Sequence, residues 1–295
     1  GIVDTAACRR QEIGNCISVP TDFTLYLSSP LLSHSLFPSV FFLYHLSLLF
    51  RKLLQSHASY LILTTFICKS DTIHKQDTPF RDGQERDLKA ALKGTDPSIP
   101  LVFVSGNHDL GNTPTPSTVE QYCNAWGDDY FSFWVGGVLC LVLNSQLFYD
   151  ASACPQLKEA QETWLEAQLS RASSSTEPKP KHVLVFQHIP LYLESPDEEE
   201  QYFNLQREVR QNLLDRFKKA GVKAVFSGHY HRNAGGCHGG LDMVVSSAIG
   251  CQLGDDPHGV RVVVVTADSV IHRYHSLEQL RAQGMDEDLR KLLQA

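Results

Sequence analysis

The stretch Leu101-Val102-Phe103-Val104-Ser105-Gly106-Asn107-His108-Asp109 decides how the chain is interpreted. Its four apolar residues predict a buried strand over 101–104, which would end in an amide, an imidazole and a carboxylate. Two later segments repeat the arrangement: Val183–Gln187 leads into His188, and Ala224–Ser227 leads into Gly228-His229-Tyr230-His231. Three strands are therefore predicted to direct Asn and His side chains toward one place.

Strand and helix patterns alternate from about Arg81 onward, with Gly, Pro and Asn turns between them. This alternation favours one α/β domain. The elements predicted are a helix ending at Leu92, a hairpin over Phe131–Asn144 turning at Gly136-Gly137, helices over Gln156–Leu169 and Leu205–Ala220, strands at Leu241–Ser247 and Val260–Thr266, and one final amphipathic helix over Leu277–Leu293.

The composition excludes some partners. The chain has 295 residues, a formal net charge of -7 and a pI near 6.0, so no basic stripe is available for a phosphate backbone and we expect no nucleic-acid partner. Its eight cysteines form no Cys-x-x-Cys pair, which favours reduced thiols and a reducing compartment.

Residues 1–80 differ from the rest of the chain. No acidic residue lies between Asp22 and Asp71, and the uncharged stretch Phe23–Phe50 is rich in Ser. Its cleanest apolar run, Val40–Phe50, is about half the length of a membrane helix, so we expect no membrane partner, although residues 23–68 leave that alternative open. We expect residues 1–80 to be an atypical segment, disordered or the product of a misplaced gene boundary, and 81–295 to form the folded α/β domain.

The residues at the predicted strand ends suit metal binding. Imidazole nitrogens and amide oxygens are ligands for Zn, Fe and Mn. His188 alone would favour a hydrogen-bonded loop residue over a metal ligand. His229 and His231 change this interpretation, because a tight turn at Gly228 can bring two imidazoles onto one ion.

These motifs resemble those of the calcineurin-like metallophosphoesterases. The family pattern is Asp-x-His, Gly-Asp, Gly-Asn-His-Asp/Glu, a lone His after a strand, and Gly-His-x-His. The chain shows the last three in order, as Gly106–Asp109, His188 and Gly228–His231. The similarity extends over Gly127–Trp134 and covers about residues 81–295.

The resemblance implies a sandwich of two mixed β-sheets flanked by helices, here with the first metal-bearing strands missing or replaced. It implies a hydrolase in which two divalent ions, of Zn, Fe or Mn type, activate water and clamp the attacking and leaving oxygens. The substrate would be a phosphomonoester, foremost phosphoserine or phosphothreonine in a cytoplasmic protein. Diesterases and nucleotidases share these motifs.

The resemblance also implies residue roles. Asn107, His188 and His229 would bind the second metal and His231 the first, while His108 would be the general acid and Asp109 would hold its ring. We expect Arg232 and Asn233 to contact a phosphate oxygen, although a surface salt bridge is an equal alternative for Arg232.

Two family motifs are absent before Asn107. Neither Asp-x-His nor Gly-Asp occurs there, and Asp71-Thr72-Ile73-His74 has one residue too many between its ligands. We therefore expect one ion or none, and impaired activity. The alternative is a non-catalytic phosphatase-like binding protein or truncated isoform. The acidic run Asp197–Glu200 is predicted to be either solvated surface or a loop over the site that favours basic substrates.

Overall fold

The protein is built around two β-sheets. The computed structural model describes residues 60–64, 81–96, 100–174, 178–250 and 252–294. Its strands are β1 Tyr60–Thr64, β2 Phe131–Val135, β3 Val138–Leu143, β4 His182–Gln187, β5 Val222–Ser227, β6 Ala234–His238, β7 Leu241–Val245, β8 Gly259–Val265 and β9 Val270–Ser276.

The larger sheet is mixed, and the smaller is antiparallel. Six strands lie in the order β2-β3-β4-β5-β7-β6, with β3, β4, β5 and β7 mutually parallel and an antiparallel strand at each edge. Three strands form the second sheet, β1-β8-β9, and every pairing there is antiparallel. The predicted α/β fold is confirmed. Among the strands described, the smaller sheet is antiparallel throughout.

Helices flank both sheets, and the last two pack on the smaller one. They are α1 Arg81–Leu92, α2 Asn107–Leu110, α3 Pro116–Trp126, α4 Gln146–Tyr149, α5 Pro155–Ser173, α6 Arg207–Lys219, α7 Leu277–Gln283 and α8 Glu287–Gln294. Helix α5 connects β3 to β4 and α6 connects β4 to β5, which confirms both predicted helices and lets these strands run parallel.

The larger sheet is buried on both faces, which explains its continuous apolar strands. Every residue of β3 and β4 is buried. On one face Leu141 and Val185 belong to a core cluster that includes Leu165 and Phe217 from the helices. On the other face Leu184 and its neighbours pack with Val263 and Val265 of the smaller sheet. The sandwich therefore keeps β4 and β5 rigid up to the ends that carry the site.

The predicted hairpin is confirmed. Strands β2 and β3 pair antiparallel and are joined by Gly136 and Gly137, whose φ angles are 57° and 83°. Two successive positive φ angles are typical of the tight turns that match strand twist, and glycine adopts them readily.

The strand predicted over 101–104 is wrong. These residues form no regular element, and Leu101 and Val102 are 45% and 42% exposed. Phe103 packs instead on the Trp126 ring, with centroids 5.1 Å apart. An apolar run becomes a strand only where a neighbour completes its hydrogen bonds, and within the described ranges no strand pairs with this segment.

The single final helix is also wrong, because it divides at Gly284. This glycine has a φ of 76° and ends α7, so that α8 starts three residues later. Met285, Leu289 and Leu293 then pack in a core cluster with Val262. The predicted amphipathic pattern is real, but it belongs to two short helices.

Two composition-based expectations concern compartment and membrane. Cys123, Cys140, Cys154 and Cys237 are free thiols in the structure. Among the residues described, none of the helices combines the length and apolar character needed to cross a membrane. Residues 23–68 lie outside the described ranges except for 60–64, and so does Asp71–His74.

Candidate metal centre

The candidate site lies where β4 and β5 end. His188 directly follows β4, and His229 comes two residues after β5. Because the strands are parallel, their carboxyl ends lie at the same edge, and the Gly228 amide donates to the His188 carbonyl at 3.1 Å. The third component, Asn107, is the first residue of α2. The structure thus brings together the three segments singled out by the sequence, two on strands and one on a short helical turn.

Three donor atoms converge at this edge. The Oδ1 atom of Asn107 lies 2.8 Å from Nε2 of His188, and Nδ1 of His229 lies 3.1 Å from the same nitrogen. His188 is 2% exposed and His229 5% exposed. Polar atoms of two buried histidines and of the half-buried Asn107 therefore meet around one point, as ligands of a single ion do.

Both buried imidazoles are held in the uncharged form. Burial lowers the pKa of His188 well below its usual value, and the nearby rings of His229, His231 and His108 lower it further. Burial also lowers the pKa of His229 to about 4, although a hydrogen bond to the Tyr202 carbonyl opposes this shift. Neutral imidazoles have a lone pair to offer, which is the state that metal binding requires.

The tautomer of His229 is set by its second nitrogen. Nε2 of His229 lies 3.0 Å from the Tyr202 carbonyl, which can only accept, so Nε2 carries the proton. The lone pair is then on Nδ1, which faces His188. Such a hydrogen bond behind a ligating histidine is the usual means of orienting it toward a metal.

The turn that carries His229 and His231 has an uncommon backbone. These are the two non-glycine residues with positive φ in the described part of the chain, at 65° and 57°. The sequence predicted the unusual backbone of this turn at Gly228, but the positive φ angles occur at His229 and His231. Left-handed backbone is unfavourable for residues with a side chain and is concentrated at functional sites.

The Gly106–Asp109 turn is held by backbone and side chain together. Asp109 is 3% exposed, and its Oδ2 accepts from the Gly106 amide at 2.9 Å. The His108 carbonyl accepts from Arg81 in α1 at 3.1 Å. Asp109 therefore shapes the turn that presents Asn107, whereas its predicted contact with the His108 ring stays a prediction.

Arg232 and Asn233 are engaged within the protein. Nη2 of Arg232 donates to the Leu253 carbonyl at 2.6 Å, and its guanidinium lies 4.8 Å from the Tyr230 ring centroid. Oδ1 of Asn233 accepts from buried Arg261 at 2.8 Å. These contacts favour a structural role, and phosphate binding by either residue stays a prediction.

Within the acidic run 197–200, Glu198 folds back on the protein, whereas Asp197, Glu199 and Glu200 are exposed. Glu198 accepts hydrogen bonds from the amides of residues 193–195 and from Asn204 Nδ2, and it lies 3.7 Å from the guanidinium of Arg210, whose side chain is fully buried. Glu200 accepts from the Arg207 amide at 2.8 Å. Neither predicted alternative describes Glu198, because it organises the loop after β4.

Three contributing residues were missed at the sequence level. Tyr202 accepts from Asn107 Nδ2 at 3.1 Å, Ser145 Oγ accepts from the Ile189 amide at 2.9 Å, and Arg261 holds Asn233. Each is far in sequence from the residue it supports. Only the fold brings them together, so no local pattern could have indicated them.

The described residues include a set of donors suited to a divalent ion. The Asn107 amide oxygen and the two neutral imidazoles could hold such an ion, with water completing its coordination. In the described ranges, no group of three or more His, Cys, Asp or Glu side chains is arranged to hold a metal. His108 and His231 lie near enough to His188 to lower its pKa.

The fold and donor set define a metal-dependent hydrolase with its site at strand ends, and comparisons with known proteins agree. The family model described as calcineurin-like phosphoesterase matches residues 41–233. Serine/threonine-protein phosphatase CPPED1 of Danio rerio is 71% identical over 224 residues, covering 76% of this chain and 72% of that protein. The Homo sapiens protein of that name is 59% identical over 230 residues, covering 77% and 72%.

A solved structure shows the same fold. It is described as GAP50, the anchor in the inner membrane complex of Plasmodium, and has a TM-score of 0.51 at 13% identity, covering 73% of this chain and 72% of that one. The chain belongs to the calcineurin-like phosphoesterase family. The family match begins at residue 41, inside the segment expected to be atypical, so the boundary at residue 80 stays a prediction.

Proposed function

We propose that the chain hydrolyses phosphomonoesters of phosphoserine or phosphothreonine in cytoplasmic proteins, using a divalent ion held by Asn107, His188 and His229. The observation that carries this proposal is the convergence of Asn107 Oδ1 and His229 Nδ1 on His188 Nε2. The names of the two relatives support the substrate class. A bound ion would supply positive charge to a phosphoryl oxygen and make a nearby water more acidic.

Side chains around the ion would supply proton transfer and hold the Asn107 turn. His231, on the same turn as His229, and His108, beside Asn107, lie near enough to His188 to lower its pKa. His108 is the group assigned to protonate the leaving oxygen. Asp109 acts through the backbone, since its bond to Gly106 keeps the Asn107 turn closed.

We further propose that turnover is slow relative to family members with complete acidic motifs. Three neutral ligands add no negative charge to offset a divalent ion, and two adjacent ions would repel one another without a bridging carboxylate. The chain before Asn107 contains neither Asp-x-His nor Gly-Asp. The same observation supports a second candidate, a protein that binds phosphorylated partners without hydrolysing them.

Metal stoichiometry and turnover test these proposals together. The full chain is equilibrated with Mn²⁺ or Zn²⁺, freed of excess ion and analysed by mass spectrometry of the metal, and phosphate release is followed from phosphoserine and phosphotyrosine peptides. We expect about one ion per chain and slow, serine-selective release. His188→Ala should remove both. His258→Ala is the matched control, because that ring contacts the Ile249 carbonyl in another loop.

Each other outcome has a definite meaning. Two bound ions and fast turnover would overturn the proposal that this chain is a slow enzyme. One ion with saturable peptide binding and no release would favour the non-catalytic candidate. Failure of the wild-type chain to bind any ion would overturn the proposed function.

A further inference from the structure

Tyr202 contacts two of the three donor side chains. Its phenol oxygen accepts from Asn107 Nδ2 at 3.1 Å, and its backbone carbonyl accepts from His229 Nε2 at 3.0 Å. Its ring centroid lies 5.0 Å from that of His229. Tyr202 therefore binds Asn107 Nδ2 and His229 Nε2, the atoms of these two side chains that face away from the donor cluster.

The phenol decides which end of the Asn107 amide faces the cluster. An amide has an acceptor oxygen at one end and a donor nitrogen at the other. If Asn107 were reversed, its NH2 group would point at His188 Nε2 and offer no lone pair to an ion. Tyr202 can accept from Asn107 while donating its own proton to Asn112 Oδ1, which lies 3.4 Å away. The Asn107 amide nitrogen therefore donates to the Tyr202 hydroxyl, and the hydroxyl donates in turn to Asn112 Oδ1.

Tyr202 is presented by a firmly held loop. Asn204, 1% exposed, accepts from the Gln201 amide and donates to Glu198, and the Leu205 amide donates to the Pro190 carbonyl. Tyr202 itself is 45% exposed. Its hydroxyl therefore lies at the rim of the site, on a loop held in place by these hydrogen bonds. Because the side chain is half exposed, core packing does not explain a tyrosine at this position.

We propose that Tyr202 is a positioning residue of the metal centre, whose hydroxyl directs Asn107 Oδ1 toward the ion and whose carbonyl keeps the lone pair of His229 on Nδ1. This inference rests on the proposed ligand roles of Asn107 and His229. It assigns no contact between Tyr202 and the substrate.

Tyr202→Phe isolates the hydroxyl, because it preserves the ring and the backbone carbonyl. Loss of a group that orients a ligand typically weakens metal binding about 10- to 100-fold, and we expect a decrease in this range for Mn²⁺ measured by calorimetry on the full chain. Tyr274→Phe is the matched control, since its hydroxyl donates to the Pro257 carbonyl. Unchanged affinity in Tyr202→Phe would overturn the proposal, as would an equal loss in the control.

A second background separates positioning from a general structural effect. Both oxygens of a carboxylate can bind an ion, so Asn107→Asp removes the need to orient the group. We expect Tyr202→Phe to lose most of its effect on affinity when combined with Asn107→Asp. A full loss in the double variant would mean that the hydroxyl acts by some route other than Asn107, against the proposal.

A metal-free measurement keeps this inference distinct from the proposed function. In apo protein the side-chain amide protons of Asn107 should exchange with solvent faster in Tyr202→Phe than in wild type, by nuclear magnetic resonance. Absence of metal binding in wild type would sink the proposed function while leaving this exchange test decisive. Equal exchange rates would show that the phenol does not hold the amide.

Discussion

The His188 ring packs directly on the backbone of Gly106. A methyl group at residue 106 would lie 3.0 Å from three atoms of that ring, closer than a side chain tolerates without displacement. The φ of Gly106 is -135°, so its backbone conformation is open to any residue. Glycine is favoured here by proximity alone, because the position of the His188 ring depends on the absence of a side chain at residue 106.

Gly106→Ala should therefore impair the site more than the fold. The added methyl must push His188 away from Asn107 and His229, so we expect about a tenfold or greater loss of metal affinity, similar to the loss of an outer supporting group. Gly250→Ala is the control, because a methyl there meets no atom within 4 Å. Calorimetric titration of both variants measures the effect, and equal affinities would show that the ring has room to move.

Glu198→Gln should destabilise the protein at neutral pH. Burial raises the pKa of Glu198, but hydrogen bonds from Asn204 and from the amides of residues 193–195 outweigh this and lower it below the usual 4.5. A depressed carboxyl pKa contributes stability above the unfolded-state value, and that contribution is lost as pH falls through the folded-state value. Urea midpoints should differ most above about pH 5.5 and converge toward acid pH, below the ordinary carboxyl pKa.

The control for this pH dependence is Glu199→Gln. The Glu199 side chain is 97% exposed, and exposed ion pairs contribute little. We expect its urea midpoint to follow that of wild type across the same pH range. A pH-independent deficit in Glu198→Gln would indicate that shape rather than charge anchors the loop.

His231→Gly should be more stable than His231→Ala. The φ of 57° costs a residue with a side chain about 1–2 kcal/mol, and glycine avoids this cost. Glycine is usually the less stable choice, so the inverted order is diagnostic of the left-handed turn. Chemical unfolding of the two variants gives the difference directly, and a more stable alanine variant would contradict this backbone geometry.

Arg261→Met should lower the stability of the whole sandwich. Arg261 is 8% exposed and donates to Ser246, Asn233 and the Val245 carbonyl, so it joins β8 of the smaller sheet to the larger one. Leaving such buried acceptors without a donor costs about 1–3 kcal/mol each. Exposed Arg281→Met is the control, and comparable unfolding free energies for the two variants would show that the network contributes nothing.

The sequence indicated the three donor side chains that the structure brings together, but not the residues that hold them in place through hydrogen bonds. Asn107, His188 and His229 follow apolar runs or glycine turns, and such local patterns can be recognised in the sequence without knowledge of the fold. Tyr202 and Arg261 act across large sequence separations, through contacts that exist only after β4, β5 and β8 are assembled. No spacing rule encodes such contacts.

The errors have a related physical origin. The run 101–104 has the composition of a strand, but strand formation depends on a partner whose presence is not written in the run itself. The division of the last helix depended on the positive φ of Gly284, although the glycine was visible in the sequence. Local patterns predicted buried faces well and predicted hydrogen-bond partners poorly.

The irregular segment 101–104 gives the metal centre two sides of unequal local stability. The two histidines follow strands inside a six-stranded sheet, and the backbone amides of those strands exchange only when the sheet core opens. Asn107 follows a segment without ladder hydrogen bonds, whose amides can exchange through a smaller, local opening. An ion bridging the two sides would therefore slow amide exchange in the 101–104 segment, which forms no regular element of its own.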